Sequence, residues 1–545
     1  MLTLLQRVRH LVWVVRILVT AGLVAPMRPD KYVRMGLVVR RQGTTPMTGI
    51  GLSAVRRPKG TALVDERGAM TWAELDADSN ALAAGLAALM SDAPDRTVGI
   101  LCRNHRGIVE ALAAAARAGA DALLLNTGFS GPQLCDVLAR ERATVLVHDA
   151  EFDDLVQQAR EQVPHLVPLV AWTDPGSRDE GVRTLDDLIA DNRGAKPARP
   201  TSPGRIVLLT SGTTGTPKGA RRSGGGGAGA LAAMFDRIPW RAEETVVVAA
   251  PMFHAWGFGQ LAIAATLACP VVMRRRFDPE ETLRLVDEHR ATGLAVVPVM
   301  LERIIDLPSD TLDNYRLDSL RFVTASGSKM RSEAVTRFMD RFGDVVHNSY
   351  NATEAGLIST AVPADLRAAP ETAGRPVVGS RLRILDDDLR EVPSGEVGRI
   401  GVLSDSQFEG YTSGDSKDFH EDYMLTGDVG RLDEAGRLYV VGRDDEMIVS
   451  GGENVYPLEV EETLNAHPAV QEAAVVGVDD ESYGQRLAAY VVLKPGERVA
   501  EDDLRKHVKA HLAGYKVPRD VTLLDELPRN ASGKVLKREL AGQGG

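Results

Sequence analysis

The chain has 545 residues, 44% hydrophobic and 26% charged, which excludes low-complexity disorder, collagen and coiled coil. Its 64 Lys/Arg against 75 Asp/Glu leave a net charge of −11, giving no global reason for a nucleic-acid partner. Cys102, Cys135 and Cys269 form no CxxC, so neither a disulfide scaffold nor a zinc cluster is expected, and a reducing cytoplasm fits best.

The charge is unevenly spread. Residues 1–60 carry eleven Lys/Arg and a single acid, Asp30, so this basic, apolar segment is +10 and the rest of the chain −21. Leu11 to Met27 is almost wholly apolar but is interrupted by Arg16, and the uncharged run Ile17–Met27 is short of the roughly 20 residues that cross a bilayer. Arg16 also counts against a secretory signal. Two readings stand for residues 1–41: a helix packed on its own domain, or a helix in peripheral contact with an anionic membrane surface.

From Thr61 to Lys196 the pattern alternates: helix over Leu75–Leu89, buried strand over Thr97–Leu101, helix over Arg106–Ala118, strands over Ala122–Leu125 and Ala143–Val147. This predicts an α/β sheet with helices on its faces. A proline-rich loop precedes the apolar strand Ile206–Leu209, which runs into a Gly/Thr-rich turn. Further strands are predicted over Thr245–Ala250, Leu294–Val299 and Phe322–Ala325, and strand-and-turn segments over Gly398–Leu403 and Arg437–Val441. After Arg443-Asp444-Asp445-Glu446, four adjacent charges unsuited to a core, a unit of about 100 residues follows, large enough for a small α+β domain. Its elements are a helix over Leu458–Asn465, strands over Ala473–Val478 and Leu487–Leu493, and a helix over Asp502–Leu512.

The most informative stretch is Thr210-Ser211-Gly212-Thr213-Thr214-Gly215-Thr216-Pro217-Lys218-Gly219. Glycines let backbone N–H groups converge, hydroxyls add donors and Lys218 adds charge, a cradle for a polyanion such as a triphosphate. The spacing is not that of the GxxxxGK loop. This stretch resembles the phosphate loop of the adenylate-forming superfamily of acyl-CoA synthetases, luciferases and peptide-synthetase adenylation domains. Four further matches follow in the family's order, and the resemblance spans roughly residues 60–541. It implies a large multi-subdomain adenylating domain over 61–444 and a mobile small domain over 445–545.

The second match is Asn348-Ser349-Tyr350-Asn351-Ala352-Thr353-Glu354. The resemblance puts Glu354 and the Thr210 hydroxyl at a Mg²⁺ site, Thr353 on the α-phosphate and Tyr350 against adenine; most relatives have glycine where Asn351 stands. Leu425-Thr426-Gly427-Asp428 and Tyr439-Val440-Val441-Gly442-Arg443 form the third, with Asp428 and Arg443 implied for ribose and Asp445 for the hinge. In the fourth, Ser450, Gly451 and Gly452 are implied to line the tunnel for the pantetheine arm of CoA. In the last, Pro528 to Lys534, Lys534 is implied to bridge the substrate carboxylate and the α-phosphate, where a fixed ammonium offsets the repulsion of two anions. Pro251 to Gly257 resembles the segment beside the acyl pocket. A carboxylic acid is already ionised near neutral pH, so His254 and Trp256 are expected as wall or gate, not as proton carriers. Ser326-Gly327-Ser328 is implied for the adenine site.

The implied reaction is ATP-dependent acyl-CoA synthesis through acyl-AMP, with Mg²⁺, ATP and CoA. The apolar front end and the likeness of Phe408-Glu409-Gly410-Tyr411 and Asp445–Pro457 to bacterial fatty-acid CoA ligases point to a medium- or long-chain fatty acid. Small residues Ala255, Gly257 and Ala325 are compatible with a long tunnel. Rival readings are an aryl or branched acid, an enzyme that loads a carrier protein or stops at acyl-AMP, and a non-catalytic homologue. The chain ends eleven residues after Lys534, so no fused carrier domain is expected.

Overall fold

The computed structural model describes residues 4–174, 182–202, 204–210, 218–222, 227–405, 410–411, 417–450, 453–480, 484–531 and 533–542. These residues form two α/β sheets, one antiparallel sheet and a separate C-terminal sheet.

At the N-terminus, helix α1 (Leu4–Thr20), helix α2 (Pro29–Gln42) and helix α3 (Thr48–Arg56) precede the first sheet. The apolar run Leu11–Met27 is thus split: Gly22, at φ +76°, takes the chain out of α1. Val14, Leu18 and Ala21 are buried in the main core. The Ser53 hydroxyl of α3 donates to the Ala265 carbonyl at 2.5 Å, tying this region to the helix Ala255–Thr266.

The six-stranded sheet runs Val167–Trp172, Val145–Asp149, Thr97–Leu101, Asp121–Leu124, Ile206–Thr210, Lys218–Arg222; all neighbours are parallel except the last pair. The strand Thr97–Leu101 and the helix Arg106–Ala118 fall where the pattern predicts them. The preceding helix starts earlier, at Trp72, because Thr71 and Glu74 form a capping box.

In the nine-stranded sheet the strands Val271–Val272, Val246–Val248, Gly293–Val296, Phe322–Ala325 and Val346–Ala352 are parallel neighbours in that order. The predicted strand Leu294–Val299 ends at Val296, since Pro298 opens the helix Pro298–Ile305, where a missing N–H does no harm. An antiparallel sheet follows, with Tyr423–Leu432 between Gly398–Ser404 and Leu438–Arg443. The C-terminal sheet, with Gly484–Leu493 between Val470–Asp480 and Asp520–Leu524, is covered by the helices Pro457–Asn465 and Glu501–His511 and has its own core around Val460, Leu464, Val475, Val491 and Leu504. The architecture is therefore α/β, with a large N-terminal part and a small α+β C-terminal part.

Candidate active site

The carboxyl ends of the parallel strands gather the motif residues, where open α/β sheets bind ligands. In the nine-stranded sheet Val246–Val248 leads to His254, Gly293–Val296 to Val297 and Val299, and Phe322–Ala325 to Ser326. Val346–Ala352 carries Tyr350 and runs into the turn holding Thr353 and Glu354. In the six-stranded sheet Asp121–Leu124 and Ile206–Thr210 lie side by side and parallel, so the phosphate-loop segment begins beside the loop after Leu124. Residues 211–217, and the side chains of Thr210 and Lys218, lie outside the described residues, as do Gly451 and Gly452.

Tyr350, Asp428 and Arg443 form one cluster. A register shift after Tyr350 reorients the strand locally, and the Tyr350 hydroxyl donates to Asp428 Oδ2. Arg443 Nη1 donates to Asp428 Oδ1 at 3.2 Å, and its Nε to Asp445 Oδ1 at 3.0 Å. Gly427, at φ +81°, permits this approach: a Cβ there would stand 3.3 Å from Arg443 Nη2. Burial pushes the Asp428 carboxyl up, against the pull of the Arg443 charge and the Tyr350 hydrogen bond. Burial and the neighbouring Asp428 charge push the Tyr350 phenol far up, so the proton between them stays on tyrosine.

Glu354 is 7% exposed. It accepts a hydrogen bond from the Tyr411 hydroxyl, and Lys417 Nζ lies 3.9 Å from the same oxygen. Sequence reasoning did not assign a role to Tyr411 or Lys417. Tyr411 was visible in Phe408–Tyr411, whereas nothing marked Lys417. One buried carboxylate oxygen donor is what Mg²⁺ takes from a protein when waters and substrate phosphates complete its shell, so the donor set fits that ion.

Ser326 Oγ donates to Asn351 Oδ1 at 2.6 Å, joining two of the nucleotide-site candidates. Asn351 lies within a strand, without positive φ, so the residue that differs from the usual glycine is not strained. Gly327 and Ser328 are exposed beside Ser326. Next to them, burial draws the Lys329 ammonium down to about 8, and Lys329 forms an ion pair with Glu462 of the C-terminal part.

Lys534 is exposed, on a turn closed by its N–H donating to Asn530 Oδ1 at 2.9 Å. The turn sits on the large part. A Cβ on Gly533, at φ +83°, would lie 2.6 Å from Val299 Cγ1, and one on Gly128 would lie 3.3 Å from Ala531 Cβ. Lys534 is thus carried to the carboxyl ends of both α/β sheets. Asp444 to Glu446 form a short 3₁₀ turn without buried residues; Asp444 pairs with Arg399 at 3.2 Å. Ser450 ends the strand Ile448–Ser450.

In the segment Pro251 to Gly257, Trp256 is buried and donates from Nε1 to the Val296 carbonyl at 2.9 Å. Burial holds His254 at about 4, and its Nε2 is enclosed with no hydrogen-bond partner among the described residues. A neutral, weakly basic imidazole suits a wall better than a proton acceptor. Gly257 does not speak for a tunnel: a Cβ there would stand 2.3 Å from the Pro251 carbonyl, so its smallness serves backbone packing.

Among the described residues Cys102, His105 and Asp149 also converge. His105 Nε2 contacts Asp149 Oδ1 at 2.7 Å while Nδ1 accepts from the Gly107 N–H, so both ring nitrogens are used within the protein.

Residues 52–412 match the AMP-binding enzyme family and residues 459–534 the AMP-binding enzyme C-terminal domain. The chain belongs to this family. It is 32% identical to feruloyl-CoA synthase from Amycolatopsis sp. over 504 residues, covering 90% of this chain and 98% of that one. It is 33% identical to indoleacetate–CoA ligase from Aromatoleum aromaticum over 451 residues, covering 81% and 87%. The solved o-succinylbenzoate CoA synthetase from Bacillus subtilis, in complex with its acyl-adenylate intermediate, superposes with TM-score 0.76 at 29% identity over 90% of this chain and 97% of that one. These similarities extend over both the large and the small part, in the class of AMP-forming acid–CoA ligases, which use ATP and CoA with Mg²⁺.

Proposed function

We propose that the protein is an AMP-forming acid–CoA ligase. The observation that supports this reading is the Tyr350–Asp428–Arg443 cluster at the end of the strand Val346–Ala352, which runs on to the buried Glu354, with the Lys534 turn docked against Val299 beyond the strand Gly293–Val296. A nucleotide needs a diol acceptor, a cation and an aromatic face; Asp428, Arg443 and Tyr350 supply them. Ser326, Gly327 and Ser328 flank the base, Thr353 the α-phosphate, and the loop Thr210–Lys218 the remaining phosphates. Mg²⁺, held by Glu354 and Thr210, would neutralise phosphate charge when bound.

In the first half-reaction an oxygen of the ionised acid attacks the α-phosphorus, and the bond to pyrophosphate breaks. Lys534 holds two anions together at that moment. In the second, the CoA sulfur attacks the acyl carbon, AMP leaves with the carboxylate oxygen, and the thiol proton is released. Ser450, Gly451 and Gly452 serve the pantetheine arm after rotation about Asp445, because one small domain cannot present both segments at once.

For the acid, we favour a medium- or long-chain fatty acid, with His254 and Trp256 at the pocket wall; the apolar N-terminal helices support it. A second reading, an aryl acid, is supported by the feruloyl and indoleacetate activities of two relatives. AMP release should be measured with and without CoA across acetate to stearate, benzoate, ferulate and indoleacetate. CoA-dependent thioester formation with any of them is expected. Exchange of pyrophosphate without thioester would favour a carrier-loading enzyme, and absence of AMP release with every acid would overturn the proposal.

A further inference from the structure

Ten of the sixteen large hydrophobic side chains exposed among the described residues lie between Val8 and Val39. On α1 the exposed set is Val8, Leu11, Val12, Val15 and Val19, at positions i, i+3, i+4, i+7 and i+11 and therefore on one face of the helix. The flanking side, with Val14, Leu18 and Ala21, is already buried in the core. Helix α1 thus has a wide apolar surface of which the core covers only one side. Helix α2 exposes Tyr32, Val33 and Leu37 and has no buried residue in fourteen. Each of the two helices thus carries exposed apolar side chains beyond what a lone surface residue accounts for, the mark of an interaction surface.

The charge around it selects the occupant. Arg7, Arg9, Arg16, Arg34, Arg40 and Arg41 are exposed on the same two helices, and Asp30, the one acid in residues 1–60, is paired with Arg28 at 3.0 Å. Two copies of this chain meeting through α1 and α2 would bring like charges together. A bilayer with anionic headgroups would accept the aliphatic side chains and neutralise the arginines. No helix among the described residues is long and apolar enough to cross a membrane, so contact is at the surface.

We propose that α1 and α2 form a docking surface for an anionic lipid bilayer, lying in the plane of the interface. This goes beyond the ligase reading and does not depend on it. The attachment of α1 to the core through Val14, Leu18 and Ala21 makes it a rigid part of the molecule, so docking would fix the orientation of the whole protein on the membrane.

The test is flotation of the full-length protein with phosphatidylcholine vesicles, with and without about 30% phosphatidylglycerol, at low and high salt. Three variants are compared: Val12→Glu with Val15→Glu, Val33→Glu with Leu37→Glu, and Arg9→Gln with Arg16→Gln. All six side chains are exposed, and an unchanged melting temperature establishes that each variant is folded. Enrichment on the anionic vesicles only, weakened by salt and reduced about tenfold or more by each pair, is the expected result. Equal partition onto neutral and anionic vesicles, no flotation, or flotation untouched by the substitutions would overturn it. So would light scattering that shows a dimer dissolved by the glutamate variants, which would make the occupant a second copy.

Discussion

Arg443 stands directly opposite Asp428 in an antiparallel ladder, its Nη1 3.2 Å from Oδ1, while its Nε reaches Asp445 at 3.0 Å. One guanidinium therefore links the carboxylate proposed for ribose to the residue proposed for the hinge. Charge-assisted hydrogen bonds of this kind are each worth about 1.5–3 kcal/mol. Asp428→Ala should raise the KM for ATP by about 10- to 100-fold in pyrophosphate exchange, with a smaller change in the KM for the acid. Equal effects on both would place Asp428 outside the nucleotide site.

The role proposed for Lys534 is confined to one half-reaction. Lys534→Ala should depress acyl-AMP formation by about 10²–10³-fold, as expected for the loss of one preorganised charge. Thioester formation from supplied acyl-AMP should fall far less. A parallel loss in both steps would contradict the two-conformation account.

Gly533 gives a separate handle on the docked turn. Alanine there meets an unfavourable positive φ and a Cβ contact with Val299. Gly533→Ala should slow adenylation by about tenfold or more without lowering the melting temperature of the large part. Adding Val299→Ala should restore some of that rate by removing the clash, though not the backbone strain. No rate change in the single variant would show that the docked geometry is not the adenylating one.

Glu110 gives a pH prediction about stability. It lies buried on the helix Arg106–Ala118, and burial, reinforced by Asp78 and Asp186, raises its carboxyl from 4.5 to about 8. Its folded pKa exceeds its unfolded one, so the neutral carboxyl's contribution is whole below about pH 4.5 and is lost as pH rises toward 8. At 1.36 kcal/mol per pKa unit that is roughly 4–5 kcal/mol. Glu110→Gln should leave the melting temperature nearly unchanged at pH 4.5 and raise it by several degrees at pH 8. A pH-independent difference would contradict this.

Much of this was legible from residue patterns. Thr97–Leu101, Arg106–Ala118 and Phe322–Ala325 form where hydrophobic runs and periodicity place them, because burial on both sheet faces leaves a plain apolar signature. The break at Gly22 and the end of a strand before Pro298 needed backbone detail that periodicity does not carry. Tyr411 on Glu354 joins residues 57 apart, and Ser326 on Asn351 joins residues 25 apart. Such contacts depend on how strands are ordered and loops fold back, which no local pattern encodes. The burial of Glu110 in an alanine-rich helix was equally silent, because helical spacing alone does not tell which neighbour covers a face.

The most direct measurement is oxygen tracing during CoA-dependent turnover of an acid labelled with ¹⁸O in both carboxylate positions. Attack of the carboxylate on the α-phosphorus, followed by cleavage at the acyl carbon, should leave one ¹⁸O in AMP and one in the thioester carbonyl. Unlabelled AMP, or label appearing in inorganic phosphate beside ADP, would contradict an acyl-AMP intermediate and with it the role given to the Tyr350–Asp428–Arg443 cleft.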